Sequence, residues 1–545
     1  STGEMSQEKR DPPVAGVDDA FPPHGGTEVE GPRAQTQRAS SLGDMGQRAA
    51  EPDPEKDFQH LVRSAAVNTL ALIAGVSLTV FYSLAARVFG AAIYGLYAFS
   101  LSAVEVLMTV GGMATDKGLT RFVAAHHVVG EADEEASALG TGLWMTLVMS
   151  GIAALAAFVF AEEIATFFGK KEATLALRTL APSILFGELL VILTWATIAA
   201  KIMRYKLYVK ESGYPIFLML FVLPLGLMSP TLETLCWGHV AASLVAFLWI
   251  LWAVRKVYRY LPLSRALRAP LHREMIRFCI PMAMTDPLSV IVQRANPLII
   301  GRFVSSVEIG VFAAADILSR AIGGATMAFD PVIMSVLAEA TKLGDYDRLR
   351  YNLRLTSRWV AIVAMPIIIF FVLFRRELLL LYGATFASGS QTLLIFTGGR
   401  FVMAVLGLSA WVLPMSGRAK TVLVNQVVVS VISVIACYYL TGLYGIEGAA
   451  LSWALSTTLA YGIIIVEIYI FERAHPFSWG MLRVMVVGAI TLGVMNWLRP
   501  WMPEALVLRL VLSSGGMLLI YGSLFYLIGR SPEDDRLLRM LKLKK

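Results

Sequence analysis

From residue 64 onward the chain repeats one pattern: about 20 apolar residues, then a short polar stretch. At 1.5 Å per residue, a helix of that length crosses a hydrocarbon core about 30 Å thick. Fourteen such runs are expected, opening with 64–86, 94–115 and 138–160 and closing with 446–468, 481–498 and 506–528. The fifth, 214–230, is the weakest, because Pro215 and Pro224 interrupt it. The runs lack the period-two alternation of barrel strands, and backbone groups in lipid must be satisfied within their own segment. The pattern therefore predicts an all-α polytopic membrane protein of about 14 transmembrane helices.

Composition agrees. Hydrophobic residues make up 56% of the 545 and charged residues only 16%, against about 25% in an ordinary soluble domain. A bilayer is the expected solvent, which excludes a typical cytosolic enzyme. The net charge of +7 is then no argument for nucleic acid, since membrane proteins collect Lys and Arg in cytoplasmic loops. With the N-terminus inside, the inner loops hold more than twice the basic residues of the outer ones, so both termini are expected in the cytoplasm. Residues 1–57 are rich in Pro, with acids outnumbering bases, and read as a disordered cytoplasmic tail without the apolar stretch of a secretory signal. Cys236, Cys279 and Cys437 lie far apart in or beside apolar runs and suggest neither a disulfide nor a metal site.

The two halves repeat. Arg87-Val-Phe-Gly-Ala-Ala-Ile-Tyr-Gly95 recurs 215 residues later as Arg302-Phe-Val-Ser-Ser-Val-Glu-Ile-Gly310. Phe168-Gly169 falls on Tyr382-Gly383, Arg204-Tyr-Lys206 on Arg418-Ala-Lys420, and Glu233 on Glu447, each 214 residues on. Six spans separate the copies, and an even number preserves orientation, so the pseudo-axis runs along the membrane normal. The expected layout is a six-helix bundle (58–254), a cytoplasmic linker (255–277), a second bundle (278–475), two extra spans (476–530) and a short cytoplasmic tail (531–545). Two like-oriented bundles around a cavity suit alternating access.

The same residues carry a family resemblance. Arg87-x-x-Gly90-x-x-x-Tyr94-Gly95-x-Tyr97, Gly111-Gly112 and Thr120-Arg121-Phe122-Val123-Ala124 resemble the opening signature of Wzx-type oligosaccharide flippases, within the multidrug/oligosaccharidyl-lipid/polysaccharide exporter superfamily. Leu381-Tyr382-Gly383-x-x-Phe386, Gly417-Arg418-Ala419-Lys420 and Tyr444-Gly445-Ile446-Glu447-Gly448 continue it, so that it covers residues about 60 to 475. The resemblance implies a transporter that moves an undecaprenyl-pyrophosphate-linked oligosaccharide across a bacterial inner membrane for surface polysaccharide assembly. Membrane lipids, polysaccharide assembly proteins and H+ or Na+ are the other partners it suggests. Gly90-Ala-Ala departs from the acidic or proline-containing loop common there, and sugar identity does not carry over. The alternatives are a cation-coupled multidrug exporter, a peptidoglycan lipid-precursor flippase and, from a different class, a membrane enzyme of polysaccharide synthesis.

Charged residues at mid-span are costly, about 2.5–3.5 kcal/mol each on insertion scales, and mark functional candidates. They are Glu105, Glu188, Asp286, Arg294, Asp316, Arg320 and Arg400. All three arginines fall in the second bundle, and a guanidinium fork suits pyrophosphate oxygens. Arg294, Arg320 and Arg400 are therefore the headgroup candidates, with Glu105, Glu188, Asp286 and Asp316 as coupling or gating candidates. Two readings stay open for Asp316 and Arg320, which share a helix face and can simply neutralise each other. Arg294 sits beside Asn296 and Pro297, where it can instead satisfy broken backbone. Pro281 and Pro287 bracket Asp286, which suggests an ion site or hinge, and relatives imply a cation site in this region to which Asn425 contributes. The repeat maps Glu105 onto Arg320 and suggests that the two attract each other across the cavity. His239, within a span, is expected to hydrogen-bond a neighbouring helix. The linker 255–277 reads either as an amphipathic helix on the cytoplasmic leaflet or as a solvated connection. No phosphate-binding glycine loop, nucleophile–base pair or metal constellation appears, so neither an enzyme nor a cofactor is expected.

Overall fold

The structure, a computed structural model, describes residues 54–530 except 328; side chains are described from 77 onward, apart from 284–295 and some isolated positions. The expectations for the two tails thus fall outside the described residues, save for 54–57. Among the described residues every regular element is helical. Ten helical stretches are long and apolar enough to cross a membrane. Their outer faces carry large bare apolar side chains such as Leu227, Met228, Leu519 and Trp501, a surface that lipid has to cover.

Two of the ten stretches exceed fifty residues and fold back on themselves. Pro54–Gly112 breaks at Gly90, whose φ of 77° lies in the left-handed region. Nothing crowds Gly90, so its backbone angle rather than its size calls for glycine. The rings of Tyr82 and Tyr94 lie 6.5 Å apart, whereas twelve residues of straight helix would separate them by about 18 Å. Ala419–Glu472 breaks likewise at Gly445, with φ 58°. Its ends meet, Arg418 Nε lying 3.3 Å from Glu472 Oε1 and Asn425 donating to Glu467. The expected seventh and eighth spans coincide with Arg273–Gly301 and the broken run from Ser306 to Leu343, neither of which is among the ten.

Residues of the first half pack on one another through Ala132–Val159, Thr174–Ala199, Tyr214–Met228 and Leu232–Val257. His239 ties three helices together, as expected: Tyr97 Oη lies 2.7 Å from its Nδ1 and Tyr214 Oη 3.2 Å from its Nε2. The weak fifth span begins as a wide turn over Lys206–Gly213, and Pro215 sits at the helix start, where a missing N–H costs nothing. In the second half Tyr346–Leu380 is the central helix, contacted by Asp330–Leu343, Ser390–Leu406, Trp479–Leu498 and Leu506–Leu524. The last pair is mostly bare on its far side and lies at the periphery.

The halves meet at the rim expected outside. A Cβ on Gly95 would fall 1.8 Å from the Ser306 carbonyl oxygen, and one on Gly310 would fall 2.2 Å from that of Ala91, so the two backbones touch. Lys170 Nζ donates to the Val304 carbonyl at 2.6 Å, and Tyr94 packs edge-on against Phe386. At the opposite rim the linker forms only a short helix, Leu263–Arg268. Ala266 abuts Gly140, Ser137 Oγ donates to Pro270 O, and Arg265 pairs with Asp133 at 2.6 Å. The linker is thus docked on protein through Leu263–Arg268.

Candidate functional site

The helix Ser306–Ser319 starts with a capping box, Ser305 receiving the Glu308 N–H while the Glu308 carboxylate takes that of Ser305. Helix geometry tightens at Arg320–Gly323 before a new turn forms. Ser390–Leu406 tightens in the same way at Gly407–Trp411. Trp411 Nε1, at the end of the second tightened segment, donates to Asp330 Oδ1 at the start of Asp330–Leu343, at 2.9 Å. Irregular backbone at membrane depth persists only where protein buries it or a cavity borders it.

Three of the sequence candidates converge here. Arg320 Nη2 lies 2.6 Å from Asp316 Oδ2, and Arg400 Nη2 lies 3.1 Å from the other oxygen, Asp316 Oδ1. Arg400 also donates from Nε to Ser319 Oγ, and its guanidinium lies 4.3 Å from the Trp453 ring centroid. One carboxylate is thus shared between two guanidinium groups. Glu105 and Tyr82, from the first half, interact electrostatically with Arg320. The Arg320 side chain is 41% exposed, against 12% for Arg400 and 17% for Asp316. Arg320 is thus the accessible cation and Arg400 the packed one.

The other candidates lie elsewhere. Glu188 is buried against Gly112, and its electrostatic neighbours are Lys210 and Asp116 rather than the arginines. Asn425 is engaged with Glu467 inside its own hairpin. The side chains of Asp286 and Arg294 fall outside the described residues. Sequence reasoning did not single out Ser319 or Trp453; the first adjoins Arg320 in the chain, but nothing in the sequence ties Trp453 to Arg400.

Near the opposite rim, polar atoms of His126, Glu134 and His272 lie within 4.8 Å of one another. His272 Nδ1 accepts the Met275 N–H, which places the neutral ring's proton on Nε2, 3.8 Å from Glu134. The trio joins the linker to the first half.

A family model for polysaccharide biosynthesis proteins matches residues 84–391, more than half of the chain. The chain belongs to this family. Solved structures similar to this family member include a lipid II flippase MurJ in an inward closed conformation, at 16% identity and TM-score 0.67. The match covers 85% of this chain and 98% of that one. An inward-facing multidrug resistance MATE family transporter matches at 13% identity and TM-score 0.61, over 74% of this chain and 98% of that one. A transporter of the MOP superfamily from Pyrococcus furiosus, whose title notes a reversed polarity of the binding pocket, matches at 14% identity and TM-score 0.54. That match covers 76% of this chain and 96% of that one. No curated protein matches the sequence. At these identities the likeness shows the fold alone, which this chain shares with a flippase and with transporters. The expectation drawn from the repeat and the glycine-rich signatures, a multi-pass membrane protein of a polysaccharide biosynthesis family, is met.

Proposed function

We propose that this polysaccharide biosynthesis protein flips an undecaprenyl-pyrophosphate-linked oligosaccharide across a bacterial inner membrane by alternating access, with both termini in the cytoplasm. The observation that carries this reading is the sharing of Asp316 between Arg320 and Arg400 at two helix breaks. Two guanidinium groups held by one carboxylate are a ready site for a diphosphate, whose oxygens accept bidentate bonds from each fork. Arg320 makes one hydrogen bond to Asp316 and keeps donors for a headgroup. Glu105 acts on it from the other half, so a diphosphate on Arg320 weakens an attraction between the halves and favours their rearrangement. Proton or Na+ binding at Glu105 acts in the same direction. Asp286, Glu188 and Arg294 remain candidates for coupling or a second headgroup contact, and polysaccharide assembly proteins are partners outside the bilayer.

The test is export of surface polysaccharide by cells that depend on this chain. Arg320→Ala is expected to abolish export with normal membrane levels, and Arg320→Lys to restore it only partly, because lysine lacks the fork. Full export by Arg320→Ala and by Arg400→Ala contradicts the reading.

A further inference from the structure

A second basic site lies at the rim expected in the cytoplasm, away from the Asp316 cluster. A cavity of about 570 Å³ is lined by Arg350, Arg354, Arg358, Arg473 and Arg483, with Asp347 as its single acid. Asp347, Arg350, Arg354 and Arg358 follow one another at three- and four-residue spacing on the first turns of Tyr346–Leu380, so they share one face. Arg473 ends the folded-back helix in a left-handed conformation, and Arg483 lies near the start of Trp479–Leu498.

The contacts of Arg350, Arg354 and Arg483 fix these three arginines more than they neutralise them. Arg350 Nη1 pairs with Asp347 at 2.9 Å, but that carboxylate is 93% exposed and weakly held. Arg354 Nη2 bonds His475 Nε2 at 2.7 Å, a neutral acceptor. Arg358 and Arg483 donate to the backbone carbonyls of Gly529 and Arg530. Ser478 caps Trp479–Leu498, whose N-terminal end adds its partial positive charge to the same cavity. Phe477 and Trp479 lie bare beside it, as aromatic side chains do at a membrane–water boundary. Arg354 and Arg483, fixed on neutral acceptors, and Arg350, held only by an exposed carboxylate, are pre-organised around one concavity for an anion with several oxygens.

We propose that the cavity between Tyr346–Leu380 and the start of Trp479–Leu498 binds a phosphate group, either on an anionic lipid headgroup or on a free phosphate compound. Arg350, Arg354 and Arg483 hold its oxygens, and the two aromatic residues set its depth. Past Arg530 the sequence contains Glu533, Asp534 and Asp535, which would compete for the same arginines.

The experiment uses the purified full chain and native mass spectrometry with added phosphatidylglycerol or phosphatidylcholine, beside a thermal-shift arm with inorganic pyrophosphate. The wild type is expected to retain phosphatidylglycerol over phosphatidylcholine. The R350Q/R354Q variant is expected to bind it at least tenfold more weakly, while R350K/R354K keeps part of the affinity and controls for folding. Stabilisation by pyrophosphate that R320A keeps and R350Q/R354Q removes, without phosphatidylglycerol retention, assigns the site to a free phosphate compound. Phosphatidylglycerol retention undiminished in R350Q/R354Q and in R483Q, or pyrophosphate stabilisation undiminished in R350Q/R354Q on the R320A background, overturns the proposal. So does binding that appears only in an E533Q/D534N/D535N variant, which would make the chain's own acids the occupant.

Discussion

Gly95 and Gly310, 215 residues apart in the chain and equivalent in its internal repeat, press backbone against backbone where the two halves meet. A Cβ at either position would overlap a carbonyl oxygen of the opposing helix, Ser306 O for Gly95 and Ala91 O for Gly310. The motif that marks the repeat in the sequence is therefore also the contact across its pseudo-axis.

This contact gives the first prediction. Gly95→Ala and Gly310→Ala should each separate the rim, at a cost of about 1–3 kcal/mol for overpacking. Thermal unfolding in detergent should show the loss, and a cysteine at Val304 should react faster with a water-soluble thiol reagent. Unchanged stability and unchanged reactivity in both variants would refute a tight junction.

A second prediction separates the two arginines. Arg400 is packed between Asp316, Ser319 and Trp453, so Arg400→Ala should destabilise by about 3–5 kcal/mol, as removing one partner of a buried pair does. Arg320 is more exposed, and Arg320→Ala leaves Asp316 its bond to Arg400, so its loss should be clearly smaller. Denaturant or thermal melts of the purified variants measure the difference, and equal losses would contradict the assigned division.

The candidate site was only partly legible in the sequence. Asp316 and Arg320 meet through helical periodicity, a local property that spacing reveals. Arg400 reaches the same carboxylate across 84 residues, and its cation–π contact with Trp453 spans two helices; such contacts depend on tertiary packing. The repeat suggests Glu105 and Arg320 as opposed residues, because symmetry turns a sequence offset into a spatial relation. The linker leaves two readings open, a leaflet helix or a solvated connection, and its alternating bases and leucines do not reveal that Ala266 abuts Gly140. Gly90 and Gly445 each fall in a motif quoted for the resemblance, and the structure explains both by their positive φ.

His475 supplies a pH test outside the spans. Burial, then the Arg354 guanidinium and more weakly Arg350, hold its imidazole below the usual value, while a backbone contact at Phe477 opposes them. The unfolded chain then binds the proton more readily than the folded one. This contribution to stability is complete above the unfolded pKa of about 6.5 and is lost as pH falls from there through the depressed folded value. Melts between pH 7.5 and 5 should show a loss that His475→Gln reduces. An identical pH dependence in the variant would remove His475 from the account.

Orientation can be checked directly. In a cysteine-free background, a cysteine replacing Lys171 should react with an impermeant thiol reagent in intact cells, and one replacing Tyr346 should react only after lysis. The reverse pattern would invert the topology drawn from the basic residues.

The central claim is translocation of a pyrophosphate-linked saccharide through the Arg320–Asp316–Arg400 cluster. Its most direct test is a proteoliposome assay in which an undecaprenyl-pyrophosphate-linked oligosaccharide starts in the inner leaflet and its glycan is detected from outside by an impermeant lectin. Wild-type protein should expose the glycan with time, and Arg320→Ala, folded and inserted to the same extent, should not. Equal exposure by both proteins, or by protein-free vesicles and wild type alike, would contradict the account.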